Sequence, residues 1–376
     1  MTGTTTGRTT ALYPEHAALG ATFTDFGGWQ MPLRYASELA EHHAVRRAAG
    51  LFDLSHMGEV WVTGPAAGAL LDHALVGRLS AVAVGRAKYS LLCAEDGGIV
   101  DDLITYRLAE DRYLVVPNAG NAATVAAALG GRAAGFDVTV DDASAATSLV
   151  AVQGPAAEAV VRALVPAGQA DAVTGLRYYA ATDATVAGVD VLLARTGYTG
   201  EDGFEVFLPN ADAAGVWAAL LEAGAAHGLV PAGLAARDSL RLEAGMPLYG
   251  NELSRDVTPY EAGLGGVVAL GKEADFVGRA ALEAARAAHD AGQGRVLVGL
   301  QGQGRRAARS HHPVVSGDAV VGEVTSGAPS PTLGFPVALA YVDQQHAAVG
   351  TALDVDVRGR REPFVVVELP FYERAR

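Results

Sequence analysis

A six-residue signal occurs twice in this chain. Val62-Thr63-Gly64-Pro65-Ala66-Ala67 is echoed ninety residues on by Val152-Gln153-Gly154-Pro155-Ala156-Ala157. In both copies an apolar run before the glycine reads as a strand, and the proline fits the first position of a helix, where its missing N–H is no loss. The echo continues, because Pro117-Asn118-Ala119 closes a strand and opens a helix through Leu129, while Pro209-Asn210-Ala211 opens one through Glu222. Each copy thus reads strand, helix, hairpin, helix, approximately the βαββαβ order of a ferredoxin-like unit. An α+β fold with an internal duplication is the expectation, and a cleft between the two hairpins is a natural ligand site.

The first hairpin centres on GGIVDDLITY, Gly97 to Tyr106, with Asp96-Gly97-Gly98 as the reversing turn of a β-meander that takes in Tyr89 to Cys93 and Tyr113 to Val116. Successive strand residues face opposite sides, so only one of Asp101 and Asp102 can point inward. An inward carboxylate needs a partner or a task; a solvated strand end is the plainer reading. The second hairpin, VDVLLARTGYTGEDGFEVFLP, has Gly197, Gly200 and Gly203 for an irregular reversal. Alternation sets Glu205 on the face opposite Phe204 and Val206.

Elsewhere, Ser37 to Ala49 reads as a helix with Ser37 as N-cap and Gly50 as its stop. Ala232 to Gly245 is a helix that sets Arg237, Arg241 and Ala244 on one face, and TSGAPSP, Thr325 to Pro331, reads as a turn-rich loop. After Gly271 the texture changes. An alanine-rich helix, Gly278 to Asp290, precedes short apolar strands from Arg295 to Phe371, the pattern of a small antiparallel barrel. The expected division is 1–275 and 276–376, within the Gly- and charge-rich stretch from Gly271 to Gly294.

A length of 376 residues accommodates two or three domains with ample cores, and the single cysteine, Cys93, permits no internal disulfide. Neither the polar leader MTGTTTGRTT nor any later segment has a signal-peptide core or a run long enough to span a bilayer, so a cytoplasmic protein is expected. The formal net charge of -14 argues against nucleic-acid and membrane partners, both of which require a cationic surface. Gly266 to Lys272, GVVALGK, falls short of a phosphate loop because Glu273 stands where Ser or Thr must hold magnesium. No GxGxxG follows a strand and no GxSxG is present. The adjacent pairs His42-His43 and His311-His312 lack the i, i+4 spacing of a zinc helix.

Seven blocks in order, GGWQMPLRY, LFDLSHMGEV, GGIVDDLITY, VQGP, RTGYTGEDGFE, AARDSLRLEAGMPLYG and TSGAPSPTLG, resemble the glycine cleavage system T-protein family, tetrahydrofolate-dependent aminomethyltransferases. The resemblance runs from about Leu12 to Phe371. It implies a three-lobed arrangement in which a duplicated folate-binding region is joined to a C-terminal barrel-like domain. It also implies roles. Asp102 matches the essential carboxylate near the reacting folate nitrogens, and Glu205 the acid that binds the pterin ring. Tyr89, Tyr178 and Tyr198 match pocket aromatics, Arg237 an arginine close to the folate, Asn118 a polar contact, and Tyr372 a contribution from the C-terminus. Pro117 replaces a residue that is commonly aliphatic in the family. The implied partners are tetrahydrofolate as co-substrate and the lipoylated H-protein as carrier, with no metal. Two alternatives share the fold: a folate-dependent demethylase, and a non-catalytic accessory protein, whose cysteine-containing motif is replaced here by GYTGED.

Overall fold

The computed structural model describes residues 7–375; the first six residues of the polar leader lie outside them, as does Arg376. The chain forms two compact units. One is built from residues up to Gly68 with Ala81–Lys88 and Ile104–Asp238, the other from Ala69–Ser80, Tyr89–Leu103 and the chain from Ser239 onward.

The duplication is present, and each copy carries one strand more than the four of βαββαβ. The first copy runs through Val60–Thr63, helix Ala67–Ala74, the meander Arg86–Cys93, Ile99–Ala109 and Arg112–Pro117, helix Ala122–Arg132, and Thr139–Asp142. The second runs through Thr147–Gln153, helices Ala157–Arg162 and Ala170–Gly175, the meander Ala181–Val186, Val189–Ala194 and Gly203–Pro209, helix Ala213–Ala225, and Leu229–Pro231. With strands numbered within each copy, both sheets follow the order 2-3-4-1-5. They differ at one point, where Ala49–Asp53 is inserted between strands 1 and 5 of the second sheet.

The repeated glycines explain why the signal is repeated. Gly64 has φ 122° and Gly154 φ 129°, a region that L side chains rarely enter. A Cβ on Gly64 would lie 2.5 Å from the Asp137 carbonyl oxygen, and one on Gly154 2.6 Å from that of Ala48. The hydrogen bonds match as well: Ala67 N–H to Gly64 O at 3.0 Å and Ala157 N–H to Gly154 O at 2.9 Å. Each proline therefore occupies the second position of a four-residue turn, where its fixed φ is favoured, and the helix starts two residues later than its sequence suggests.

The second sheet packs one face into a core that includes Val150, Val152, Phe204, Val206, Leu208, Val216, Trp217 and Leu220. Gly50 is not a helix stop. The helix is Glu38–Arg47, and Gly50 lies inside the next strand, Ala49–Asp53, antiparallel to Thr147–Gln153 and parallel to Leu229–Pro231. Its missing Cβ would fall 2.4 Å from Val45 Cγ2, so the glycine permits close packing of helix on strand. Ser37 makes no side-chain cap; the Glu41 carboxylate accepts from Tyr35 and Ala36 N–H at 2.8 and 3.1 Å instead.

The second unit contains a closed six-stranded antiparallel barrel in the order Arg295–Gly302, Pro336–Asp343, Ala319–Pro329, Pro313–Ser316, Ala352–Asp356, Arg361–Val367. Leu300, Val324, Ala340, Leu353, Phe364 and Val366 help to fill it. The segment TSGAP is strand rather than loop, bulged at Thr325, whose hydroxyl donates to Leu339 O at 3.1 Å. The turn begins only at Ser330. Helix Arg279–Asp290 starts after Gly278, at φ 86°.

Candidate functional site

In the first unit the segment between strands Val189–Ala194 and Gly203–Pro209 is held from three sides. Arg195 grips both oxygens of Asp202, at 2.9 and 2.5 Å, and reaches Glu158 at 2.9 Å. These carboxylates, Asp202 first, raise its pKa despite partial burial. Gln153, fully buried, donates to Thr196 O at 3.0 Å and accepts from the Thr199 hydroxyl at 2.9 Å. Its amide fills the space that side chains on Gly197 and Gly203 would need; a Cβ on either would fall 1.9 or 2.2 Å from it, respectively. Buried Arg46 donates to Thr199 O at 2.7 Å and to Glu201 at 2.9 Å. Gly197 and Gly203 therefore serve close approach to Gln153.

That frame sets Glu205. Its neighbours Phe204 and Val206 are fully buried in the core, and the carboxyl, 9% exposed, is on the opposite face. The Thr196 hydroxyl donates to Oε2, and so does Tyr106 at 3.2 Å. Both of these hydrogen bonds go to Oε2. Burial pushes the carboxyl pKa up, against the Thr196 hydrogen bond, the Arg237 charge and the Tyr106 hydrogen bond. Burial, then the Glu205 charge, holds the Tyr106 phenol well above its usual range, so it remains a donor. The Arg237 guanidinium lies 4.6 Å above the Tyr198 ring.

Two further expected residues lie in this unit. Asn118 is half-buried just after strand Arg112–Pro117, and its carbonyl accepts from Asn121 N–H at 2.9 Å, ahead of helix Ala122–Arg132. The preceding Pro117 is accommodated because Gly58 has no side chain; a Cβ there would be 2.8 Å from the proline ring. Tyr178 is 44% exposed, with its ring edge-on to Tyr179 at 4.9 Å.

The second unit holds the acidic pair. Asp101 is fully buried, and Asp102, half-buried, accepts from the Tyr89 hydroxyl at 3.0 Å. The turn before them is tightly set: Gly97 has φ 84°, and a Cβ on Gly98 would fall 2.0 Å from Arg255 O. Tyr249 donates to Ile99 O at 3.2 Å, and burial followed by the Asp101 charge raises its pKa. Tyr372, half-buried, donates its N–H to Glu243 O at 2.8 Å.

Residues 12–272 match the family described as GCVT N-terminal domain, and residues 295–373 that described as glycine cleavage T-protein C-terminal barrel domain. This chain belongs to the glycine cleavage T-protein family. An aminomethyltransferase of Streptomyces avermitilis is 61% identical over 98% of both chains, and one of Cutibacterium acnes is 56% identical over 99% of this chain and all of its own. The crystal structure of glycine cleavage system aminomethyltransferase T from Bartonella henselae covers 97% of this chain and 98% of its own, with a TM-score of 0.88 at 39% identity.

Several groups in this T-protein family member are not singled out by its sequence. Tyr106 and Thr196 both fall in quoted blocks, but a hydroxyl that partners a carboxylate leaves no spacing signal. Conversely, Arg241 is committed to structure: fully buried, it pairs with Glu252 at 2.9 Å and donates to Ser326 at 2.7 Å. Lys272, of the near-miss phosphate loop, is buried and donates to Asp72 O, Leu75 O and Gly77 O at 2.5, 2.6 and 3.0 Å. It closes the end of helix Ala67–Ala74. Cys93 is buried. Among the described residues no cluster of three His, Cys, Asp or Glu is arranged to hold a metal, and no helix is long and apolar enough to cross a membrane.

Proposed function

We propose that this protein is an aminomethyltransferase that moves the methylene carbon of an S-aminomethyldihydrolipoyl carrier, the H-protein, to tetrahydrofolate. The carbon loses its bonds to sulfur and to the amino nitrogen and gains bonds to N5 and N10 of the folate. Ammonia leaves, the arm is released as the dithiol, and the product is 5,10-methylenetetrahydrofolate. The observation that carries this reading is the full-length likeness, at 56–61% identity, to proteins named aminomethyltransferase.

The residues suit the chemistry. The Glu205 carboxylate is suited to accept from the amino edge of a pterin, and such a donor favours the ionised carboxylate that burial disfavours. Tyr198 and Arg237 offer a flat, cationic surface for a heterocycle. In this reading Asp102, oriented by the Tyr89 hydroxyl, receives the N–H of the attacking nitrogen and stabilises the positive charge that develops on transfer. The sulfur and nitrogen substituents already activate the carbon, so alignment and proton handling are the main tasks. Asn118, Tyr178 and Tyr372 complete the assigned ligand contacts.

The proposal assigns 1–275 to folate binding and 276–376 to the barrel, and sets the reaction in the cytoplasm. Incubation with tetrahydrofolate and aminomethyl-loaded carrier is the test. Ammonia and methylenetetrahydrofolate in equal amounts are expected; 5-methyltetrahydrofolate from a small methyl donor, or binding without turnover, overturns the reading.

A further inference from the structure

The repeat contains its own control for one residue. Strand 1 of each copy ends one residue before the turn glycine, on Thr63 in the first copy and on Gln153 in the second. Both glycines make the same turn, so the turn does not dictate what precedes it. Thr63 is half-buried and lies opposite Arg112, whereas Gln153 is 1% exposed and lies opposite Gly203. The notch that the glutamine fills has no equivalent in the first copy, because Arg112 stands where the second has Gly203. Its side chain faces the same way as that of Ala151, the residue paired with Glu205. Both ends of the amide are used. Nε2 donates to Thr196 O at 3.0 Å and Oε1 accepts from the Thr199 hydroxyl at 2.9 Å, so Gln153 spans the segment that carries Tyr198. Thr196 donates its hydroxyl to the Glu205 carboxylate, and the Tyr198 ring lies 4.6 Å beneath the Arg237 guanidinium.

We infer that Gln153 is a positioning residue for the folate site, holding Thr196 so that its hydroxyl orients the Glu205 carboxylate towards the pterin. The inference rests on the folate reading above and extends it to a residue that acts through Thr196 rather than by touching the ligand. A neutral amide suits the task, since it offers a donor and an acceptor at once and adds no charge near a buried carboxylate. Without it the Thr196 carbonyl and the Thr199 hydroxyl lose their partner, and the segment between them must shift to find others. The acid is then no longer aimed.

Gln153→Met keeps the length of the side chain and removes both hydrogen bonds, while Thr196→Val removes the hydroxyl and leaves the carbonyl in place. Calorimetry is expected to show tetrahydrofolate binding weakened about tenfold in each. The double variant is expected to bind about as tightly as the weaker of the two single ones, because the second change acts on a link already broken; independent effects would multiply to about a hundredfold. In turnover the Gln153→Met loss falls on KM for tetrahydrofolate, with kcat at saturation and KM for the loaded carrier within about threefold of wild type. A general loosening of the fold would move all of these. Thermal unfolding identifies the folded variants, and Gln153→Thr, which installs the side chain that the first copy uses, takes over if Gln153→Met does not fold. Wild-type affinity in a folded Gln153 variant, multiplying effects in the double variant, or failure of both Gln153 variants to fold overturns the inference. If wild type binds no tetrahydrofolate, or Glu205→Ala binds it as tightly as wild type, the folate reading falls and takes this one with it. If Glu205→Ala weakens binding and the folded Gln153 variants do not, only this inference falls.

Discussion

Glu59 gives the most direct physical test of the fold. It is fully buried at the entry to strand Val60–Thr63, and neither carboxyl oxygen has a hydrogen-bond partner. Burial first, then the charge of Asp142, raises its pKa from 4.5 to about 9. The native state therefore holds this proton more tightly than the unfolded chain does. The resulting stabilisation is fully present below pH 4.5 and is lost as pH rises towards 9. Each unit in that window costs about 1.4 kcal/mol, so the native state loses about 4 kcal/mol from this group between roughly pH 5 and pH 8. Glu59→Gln has no proton to lose and removes the slope, leaving only the pH-independent cost of an unpartnered amide. The assay is urea unfolding of both proteins at several pH values, using only transitions that tryptophan fluorescence and circular dichroism report alike. The variant is expected to gain on wild type steadily as pH rises. Asp142→Asn should flatten the wild-type slope in part. Parallel stability curves for wild type and Glu59→Gln would refute the reasoning, since they would mean that the carboxyl ionises as readily folded as unfolded.

Asp102→Asn is expected to bind tetrahydrofolate within severalfold of wild type and to lower single-turnover transfer by roughly a hundredfold or more; unimpaired transfer removes the assignment. For Glu205→Ala the weighting reverses, with affinity measured by calorimetry falling more than the rate at saturation; unchanged affinity counts against it. Gly64→Ala and Gly154→Ala each force a side chain into positive φ and against a carbonyl oxygen, and should each lower stability by about 2 to 4 kcal/mol in urea titrations. An effect at one glycine and none at the other would contradict the equivalence of the two turns.

The duplication is legible because its hexapeptide encodes a backbone requirement, the positive φ of Gly64 and Gly154, and that requirement survives in letters. Alternation correctly sets Glu205 opposite Phe204 and Val206, a local property of a strand. It says that one of Asp101 and Asp102 is interior but not which. Gly50 misleads because a glycine that ends a helix and one that lets a neighbour close in look the same in sequence; only the Val45 side chain distinguishes them. Strand Ala181–Val186 leaves little trace because it is an edge strand, half-exposed, with mixed polarity. TSGAP looks like a loop because its small polar residues suit turns, whereas its pairing with Pro336–Asp343 is long-range. The Thr196 and Tyr106 hydroxyls on Glu205 come from segments far apart in the chain, and nothing in the spacing announces their meeting.

The inserted strand Ala49–Asp53 makes the second copy of the duplication dependent on chain made well before it. A fragment comprising the second copy alone would have a gap beside its edge strand, with Thr147–Gln153 and Leu229–Pro231 presenting raw backbone on either side. On a ribosome the wedge emerges first and waits for both flanks, so the copy cannot mature as a self-contained module. The two halves of the repeat have a common pattern but are no longer separable parts.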